Sequence, residues 1–239
     1  MKVLPAIDLK DGNCVRLFKG NFSQVTKYND DPINQVKTFL DHDLNYLHIV
    51  DLDGAESGNQ LNINLIKEIL KIPSIKIQLG GGIRNIDSIS RMIDLGVSRV
   101  ILGTSIFTDN FLNKVKANFD PNQIVLALDF KNIEDELMIF THGWKENSKV
   151  NLFDFISGNS FFKNILATDI SLDGVLMGPS FNAYKKILDL YPSINLIASG
   201  GIRSKKDLNA LSKLNVKEAV VGKAIYEQEI SLTDLSNDY

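Results

Sequence analysis

Short apolar runs rich in β-branched residues recur along the chain, each followed by a longer stretch in which apolar positions return every three or four residues. The runs are Val3–Ile7, Leu47–Val50, Ile75–Leu79, Val100–Leu102, Ile124–Leu128, Ile165–Ala167, Ile194–Ala198 and Ala219–Val221. The stretches between them include 33–40, 62–70, 86–95, 111–117, 182–190 and 204–214, which read as amphipathic helices. Continuous apolar strands separated by helices indicate a parallel sheet covered on its faces. Eight such strands in 239 residues suit a closed (β/α)8 barrel, the TIM barrel, as one unit over 1–239. Alternation alone would also suit a doubly wound open sheet.

A second periodicity favours closure. "LGGGIR" (79–84) returns as "SGGIR" (199–203), and "RVILGTSIF" (99–107) as "EAVVGKAIY" (218–226), both 119 residues on. "AID" (6–8) returns as "ALD" (127–129), and "VDLDGAESG" (50–58) has a looser partner in "TDISLDGVLMG" (168–178). Four pairs in the same order at nearly one offset read as a duplicated four-strand unit. The half-barrels are expected at about 1–120 and 121–239.

Composition narrows the class. The formal net charge is −3 without a basic run, so no electrostatic footprint for nucleic acid is present. No apolar stretch reaches the roughly 20 residues of a membrane span, and the N-terminus does not read as a signal peptide. One cysteine, Cys14, excludes an internal disulfide and a cysteine-based zinc site, and the three histidines are scattered. The expectation is a soluble cytoplasmic globular protein with no membrane partner and no metal centre.

The repeated motifs all fall at or just beyond strand ends, the edge of a parallel α/β fold that carries loops and helix N-termini. Gly81 and Gly82, with Gly103 and Thr104, repeat as Gly200 and Gly201, with Gly222 and Lys223. A lone glycine pair reads as a tight turn. The duplicated set reads as two facing phosphate sites built from backbone N–H groups, with Gly178 in the loop beside the second. Asp8 and Asp129 end the first and fifth strands, which face each other in an eight-stranded barrel, and either alone would read as a turn cap. As a symmetric pair at a phosphate-lined mouth they read as acid and base. Thr168 is placed to bond Asp129 or a substrate hydroxyl, and Arg16 to contact a phosphate or carboxamide. Trp144 reads equally as a packing plug or as a platform for a flat heterocycle. Asp51 and Asp53 read as loop-structuring groups, and Cys14 as a small apolar strand residue.

Taken together, "PAIDLKDGNCVRL", "HIVDLDGAESG", "QLGGGIR", "GVSRVILGTSIF", "HGW", "TDISLDG" and "IASGGI" resemble the HisA/HisF family, over about residues 1–228. They resemble most the HisA-type phosphoribosylformimino-aminoimidazole carboxamide ribotide isomerases of histidine biosynthesis. The resemblance implies an intramolecular aldose–ketose isomerase. It performs an Amadori rearrangement of a bisphosphorylated aminoaldose to the aminoketose, without a cofactor. It implies Asp8 as general base, Asp129 as general acid, Thr168 in support of the acid, and Trp144 against the imidazole moiety. Three positions depart from the usual pattern: Leu172 and Lys131 where arginines are common, and Asn21 where an acid is. The alternatives are the HisF-type cyclase of imidazole glycerol phosphate synthase, disfavoured by "PAIDL" and "TDISLDG", and a dual-substrate isomerase that also accepts phosphoribosylanthranilate. A non-catalytic phosphate-binding barrel is the remaining class.

Overall fold

A computed structural model describes residues 1–18 and 20–238. Eight parallel strands form a ring: β1 (Lys2–Lys10), β2 (Tyr46–Asp51), β3 (Lys76–Gly80), β4 (Arg99–Leu102), β5 (Ile124–Ile133), β6 (Asn164–Asp169), β7 (Asn195–Ser199) and β8 (Glu218–Val221). Each pairs with the next, β8 pairs with β1, and β5 with β6 runs from Val125↔Asn164 to Phe130↔Asp169. The ring is therefore closed, and the open-sheet alternative is set aside. All eight expected strands are present. The six expected helices appear as Pro32–Leu40, Ile63–Leu70, Ile86–Asp94, Phe111–Asn118, Phe181–Leu190 and Lys205–Lys213.

Strand and helix ends follow local chemistry. The helices that follow β3 and β7 both open with a capping box, in which Asn85 caps Ser88 and Ser204 caps Asp207. These two caps obey the same 119-residue repeat as the motifs around them. Outside the ring, a large apolar layer joins strands to helices through residues such as Ile7, Ile49, Leu79, Leu128 and Leu196, all fully buried. Inside it, Leu4, Ala6, Ile101, Val125, Leu166, Ile197 and Val220 fill the bore, so the barrel is packed and not a pore.

The floor of the bore is polar. Buried Arg99 donates from Nη1 to Glu218 Oε1 at 3.2 Å and from Nη2 to Gln78 Oε1 at 2.8 Å, with the Tyr46 ring 4.8 Å from its guanidinium carbon. Asn195 Nδ2 donates to both Asn164 Oδ1 and Glu218 Oε1, at 3.0 and 3.2 Å. Gln78 bonds His48 at 2.8 Å, and burial holds that imidazole down at about 3. The ion pair joins symmetry-matched positions, since Arg99 and Glu218 are 119 residues apart.

One expectation is corrected. Asp8 and Asp129 do not end their strands. β1 continues to Lys10 and pairs antiparallel with Asn13–Phe18, and β5 continues to Ile133 and pairs with Glu136–Thr141. Each extension carries a hairpin, completed by Asn21–Asn29 and by Glu146–Asn151. Both hairpins rise from the C-terminal mouth at corresponding places in the two halves. No helix among the described residues is long and apolar enough to cross a membrane.

Candidate active site

Asp8 and Asp129 both point into the mouth, and each is met by a side chain from the hairpin that follows its own strand. The antiparallel register Asp8↔Val15 sets Arg16 beside Asp8, and Arg16 Nη1 lies 3.0 Å from Asp8 Oδ2. Burial raises the Asp8 pKa, the Arg16 guanidinium opposes that rise, and the charge of Asp173 adds to it. Across the mouth, Trp144 at the tip of the second hairpin donates from Nε1 to Asp129 Oδ2 at 2.8 Å. Thr168 stands directly beside Asp129 across the β5–β6 pairing and is buried. Burial lifts Asp129 to about 6, opposed by hydrogen bonds from Trp144 and Thr168 and assisted by Asp173. One carboxylate thus has a cationic partner and the other only neutral ones, which is the kind of separation that divides acid from base duties.

Asp173 was not singled out in the sequence. Its carboxylate acts on both Asp8 and Asp129, which places it near both at the mouth. Its own pKa is raised by burial against the pull of Arg16 and Lys223. A signal was available: "LDG" at 52–54 returns as "LDG" at 172–174, so the repeat pairs Asp173 with Asp53.

The glycines divide. Arg16, Gly200, Gly201, Gly222 and Lys223 line one small pocket with Asp173, Gly174 and Ser199, about 20 Å³ in volume. Arg16 crowds it: a Cβ on Gly222 would lie 2.4 Å from Nη2. Lys223 Nζ donates to the Gly174 carbonyl at 2.9 Å. Thr104 faces a groove of about 440 Å³ with Phe107, Thr108, Thr141, His142, Ser148 and Val150, its hydroxyl accepting from the His142 N–H at 2.9 Å. Nothing lies within 4 Å of a Cβ on Gly103.

Gly81 and Gly201 have a packing reason of their own. Their φ values are +100° and +79°, and a Cβ would fall 2.1 Å from the Asp51 carbonyl oxygen and 2.3 Å from that of Gly178. Gly178 N–H donates to the Gly201 carbonyl at 2.9 Å, and Gln60, 118 positions before Gly178, donates to the Gly82 carbonyl at 2.8 Å. Gly82 and Gly200 are likewise left-handed and lie against the Gly54 and Asp169 carbonyls.

Other expectations can be placed. Asp51 caps the short helix Leu52–Ser57 and accepts from Asn62 at 2.6 Å, while Asp53 accepts from the Asp11 N–H at 2.7 Å. Both shape the loop after β2. Cys14 is buried in its strand. Leu172 packs near Gly201, Lys131 is exposed on the β5 extension, and Asn21 accepts from Ser23. No cluster of three or more histidine, cysteine or acidic side chains able to hold a metal occurs among the described residues.

Fold and mouth together define a (β/α)8 barrel with partly buried carboxylates at its C-terminal face. The chain belongs to the histidine biosynthesis protein family, whose profile matches residues 2–231. It is 41% identical over 238 residues to a protein of Elusimicrobium minutum, covering 98% of each chain. It is 40% identical over 238 residues to one of Listeria monocytogenes serotype 4a (98% and 97% covered), and 39% identical over 237 residues to one of Oceanobacillus iheyensis (98% and 97%). Each relative is named 1-(5-phosphoribosyl)-5-((5-phosphoribosylamino)methylideneamino) imidazole-4-carboxamide isomerase.

Proposed function

We infer that the chain is the isomerase of histidine biosynthesis that converts this bisphosphorylated aminoaldose to its aminoketose by acid–base catalysis. The observation that carries it is the pair Asp8 and Asp129, both near Asp173, one held by Arg16 and the other by Trp144 and Thr168. Full-length similarity to the named relatives supports the isomerase over the cyclase and over the dual-substrate alternative.

In this reading Asp129 is the general acid. With a pKa of about 6 it keeps roughly a tenth of its molecules protonated at pH 7, and a donor of that acidity is well matched to the task. It protonates the ribose ring oxygen and opens the sugar to a Schiff base, while the Thr168 hydroxyl and the Trp144 indole fix its orientation. Asp8, whose ionised form Arg16 favours against burial, removes the C2 proton, and the enolamine that forms tautomerises to the ketose. Every step is a proton transfer by this chain's own side chains. The two phosphates seat at opposite rims, one at Gly81, Gly82, Gly103 and Thr104, the other at Gly178, Gly200, Gly201, Gly222 and Lys223. Arg16 reaches from Asp8 to the second rim, and Trp144 faces the imidazole carboxamide. A cytoplasmic, monomeric enzyme with no nucleic-acid partner completes the reading.

The test is a direct assay of the purified protein on the aminoaldose. Asp8→Asn and Asp129→Asn are each expected to lower kcat on the order of 10²–10⁴-fold while still binding the bisphosphorylated ligand in calorimetry. Turnover near wild type in either variant would refute the assignment of base and acid.

A further inference from the structure

The two mouth hairpins meet at one point. Trp144 lies against Gly20, at the turn of the first hairpin: a Cβ on Gly20 would stand 2.5 Å from Trp144 Cε3 and 2.7 Å from Cζ3. Real Cβ atoms do not approach that closely, so the indole needs the absence of a side chain there. Beside this contact, Gly143 faces Phe22, 3.9 Å from its would-be Cβ. The chain bends sharply to make the contact. His142, Gly143 and Trp144 have φ of 53°, 65° and 69°, three left-handed residues in succession, two of them not glycine. Such a run is held only by its surroundings, here by the His142 N–H on Thr104 at 2.9 Å, His142 on Glu146 at 3.2 Å and the indole on Asp129 at 2.8 Å.

We propose that Gly20 is a positioning residue for the reaction: its bare backbone is the seat on which the Trp144 indole rests, and that seat holds the indole N–H on Asp129 and locks the two hairpins into one closure. The proposal rests on Asp129 as general acid and adds a residue that touches neither substrate nor acid. The seat acts through geometry. A methyl at position 20 pushes the ring off its place, and the ring is what orients the carboxyl group. Misplacement of a catalytic group by about 1 Å costs on the order of 10²-fold.

The experiment compares Gly20→Ala and Gly20→Asn with Gly12→Ala. Gly12, in the turn before the first hairpin, has φ +73° and nothing within 4 Å of a Cβ, so its variant carries the backbone strain without the contact. Asparagine tolerates the left-handed region, so Gly20→Asn carries the contact with little strain. Both Gly20 variants are expected to lose roughly tenfold or more in kcat/KM, mainly in kcat, and Gly12→Ala less than twofold. Gly20→Ala added to Trp144→Phe is expected to cost little beyond Trp144→Phe alone, because coupled groups are not additive. A Gly12→Ala loss equal to that of Gly20→Ala, or additive losses in the double variant, would overturn the seat.

Trp144 is the only tryptophan, so its fluorescence reports the contact independently of turnover. Asp129 is faced by the indole, Thr168 and Asp173, and titrates near 6. His142 and Glu146 sit in the same turn. The wild-type emission is expected to show a midpoint near 6 that is absent from Asp129→Asn, and absent too from Gly20→Ala. Retention of that midpoint in Gly20→Ala refutes the seat. A wild-type protein that does not turn over the aminoaldose refutes the functional reading instead and leaves the fluorescence comparison to decide the seat.

Discussion

Replacing Asp129 by asparagine should destroy activity and stabilise the protein. Burial raises the carboxyl from 3.8 to about 6 in the fold, about two pH units of preference for the neutral form. Each unit corresponds to about 1.4 kcal/mol, so the ionised group destabilises the native state by about 3 kcal/mol. The sign follows from the direction of the shift. The favourable contribution is complete below 3.8, shrinks as pH rises, and is gone above about 6, where the native carboxyl must ionise without water. Asparagine keeps the shape and still accepts the Trp144 N–H, but has no charge to desolvate. At pH 8 the variant should therefore gain up to about 3 kcal/mol, or roughly 6–12 °C in Tm for a chain of this size. At pH 3.5 the gain should vanish. Thermal melts of both proteins across pH, followed by circular dichroism, read the difference directly. Equal stability at pH 8, or a gain that persists unchanged at pH 3.5, would refute the claim that Asp129 is an acid held against its own hydration.

Three further outcomes follow from other contacts. Arg16→Met removes the cation 3.0 Å from Asp8, so the base should hold its proton more tightly and the acid limb of the kcat/KM profile should move to higher pH; an unmoved limb would count against Asp8 as the base. Glu218→Gln leaves the buried Arg99 charge uncompensated and should cost about 3–5 kcal/mol in urea unfolding, whereas Arg99→Met with Glu218→Leu should stay close to wild type. Gly201→Ala must hold φ +79° with a Cβ aimed at the Gly178 carbonyl, and should cost about 1–3 kcal/mol and raise KM for the bisphosphorylated substrate more than it lowers kcat.

The barrel was legible because its strands are buried on both faces. Runs such as Ile165–Ala167 and Ile194–Ala198 need no alternation to be recognised, and the repeat of Gly103 and Gly222 supplied the closure that alternation could not. The hairpins were not legible. "NFSQVTKYN" has few apolar residues and is exposed along most of its length, so its extended form comes from pairing with Asn13–Phe18 and not from burial. The same blindness ended β1 and β5 too early in the sequence reading, since the extensions past Asp8 and Asp129 are fixed by their hairpin partners. At the site, duplication pointed to Asp8 and Asp129. It paired Asp173 only with the loop-structuring Asp53, and it was silent on Gly20, whose importance lies wholly in a side chain 124 residues away.

In a perfectly twofold barrel the two matched aspartates would have the same intrinsic affinity for the proton, because their environments would be equivalent. The frame here is close to twofold: the strand positions, the capping boxes and even the Gln60–Gly82 and Gly178–Gly201 contacts repeat. The asymmetry enters through what the frame carries. The hairpin after β1 brings a guanidinium to its aspartate, while the hairpin after β5 brings an indole. A cation favours the ionised carboxylate outright. A neutral donor favours it less; burial raises both carboxyls, opposed by the cation at Asp8 and only by neutral donors at Asp129. Asp173 raises both and so adds to the affinity for a proton without equalising it. The asymmetry around the two aspartates thus resides in the two hairpins, through Arg16 on one and Trp144 on the other.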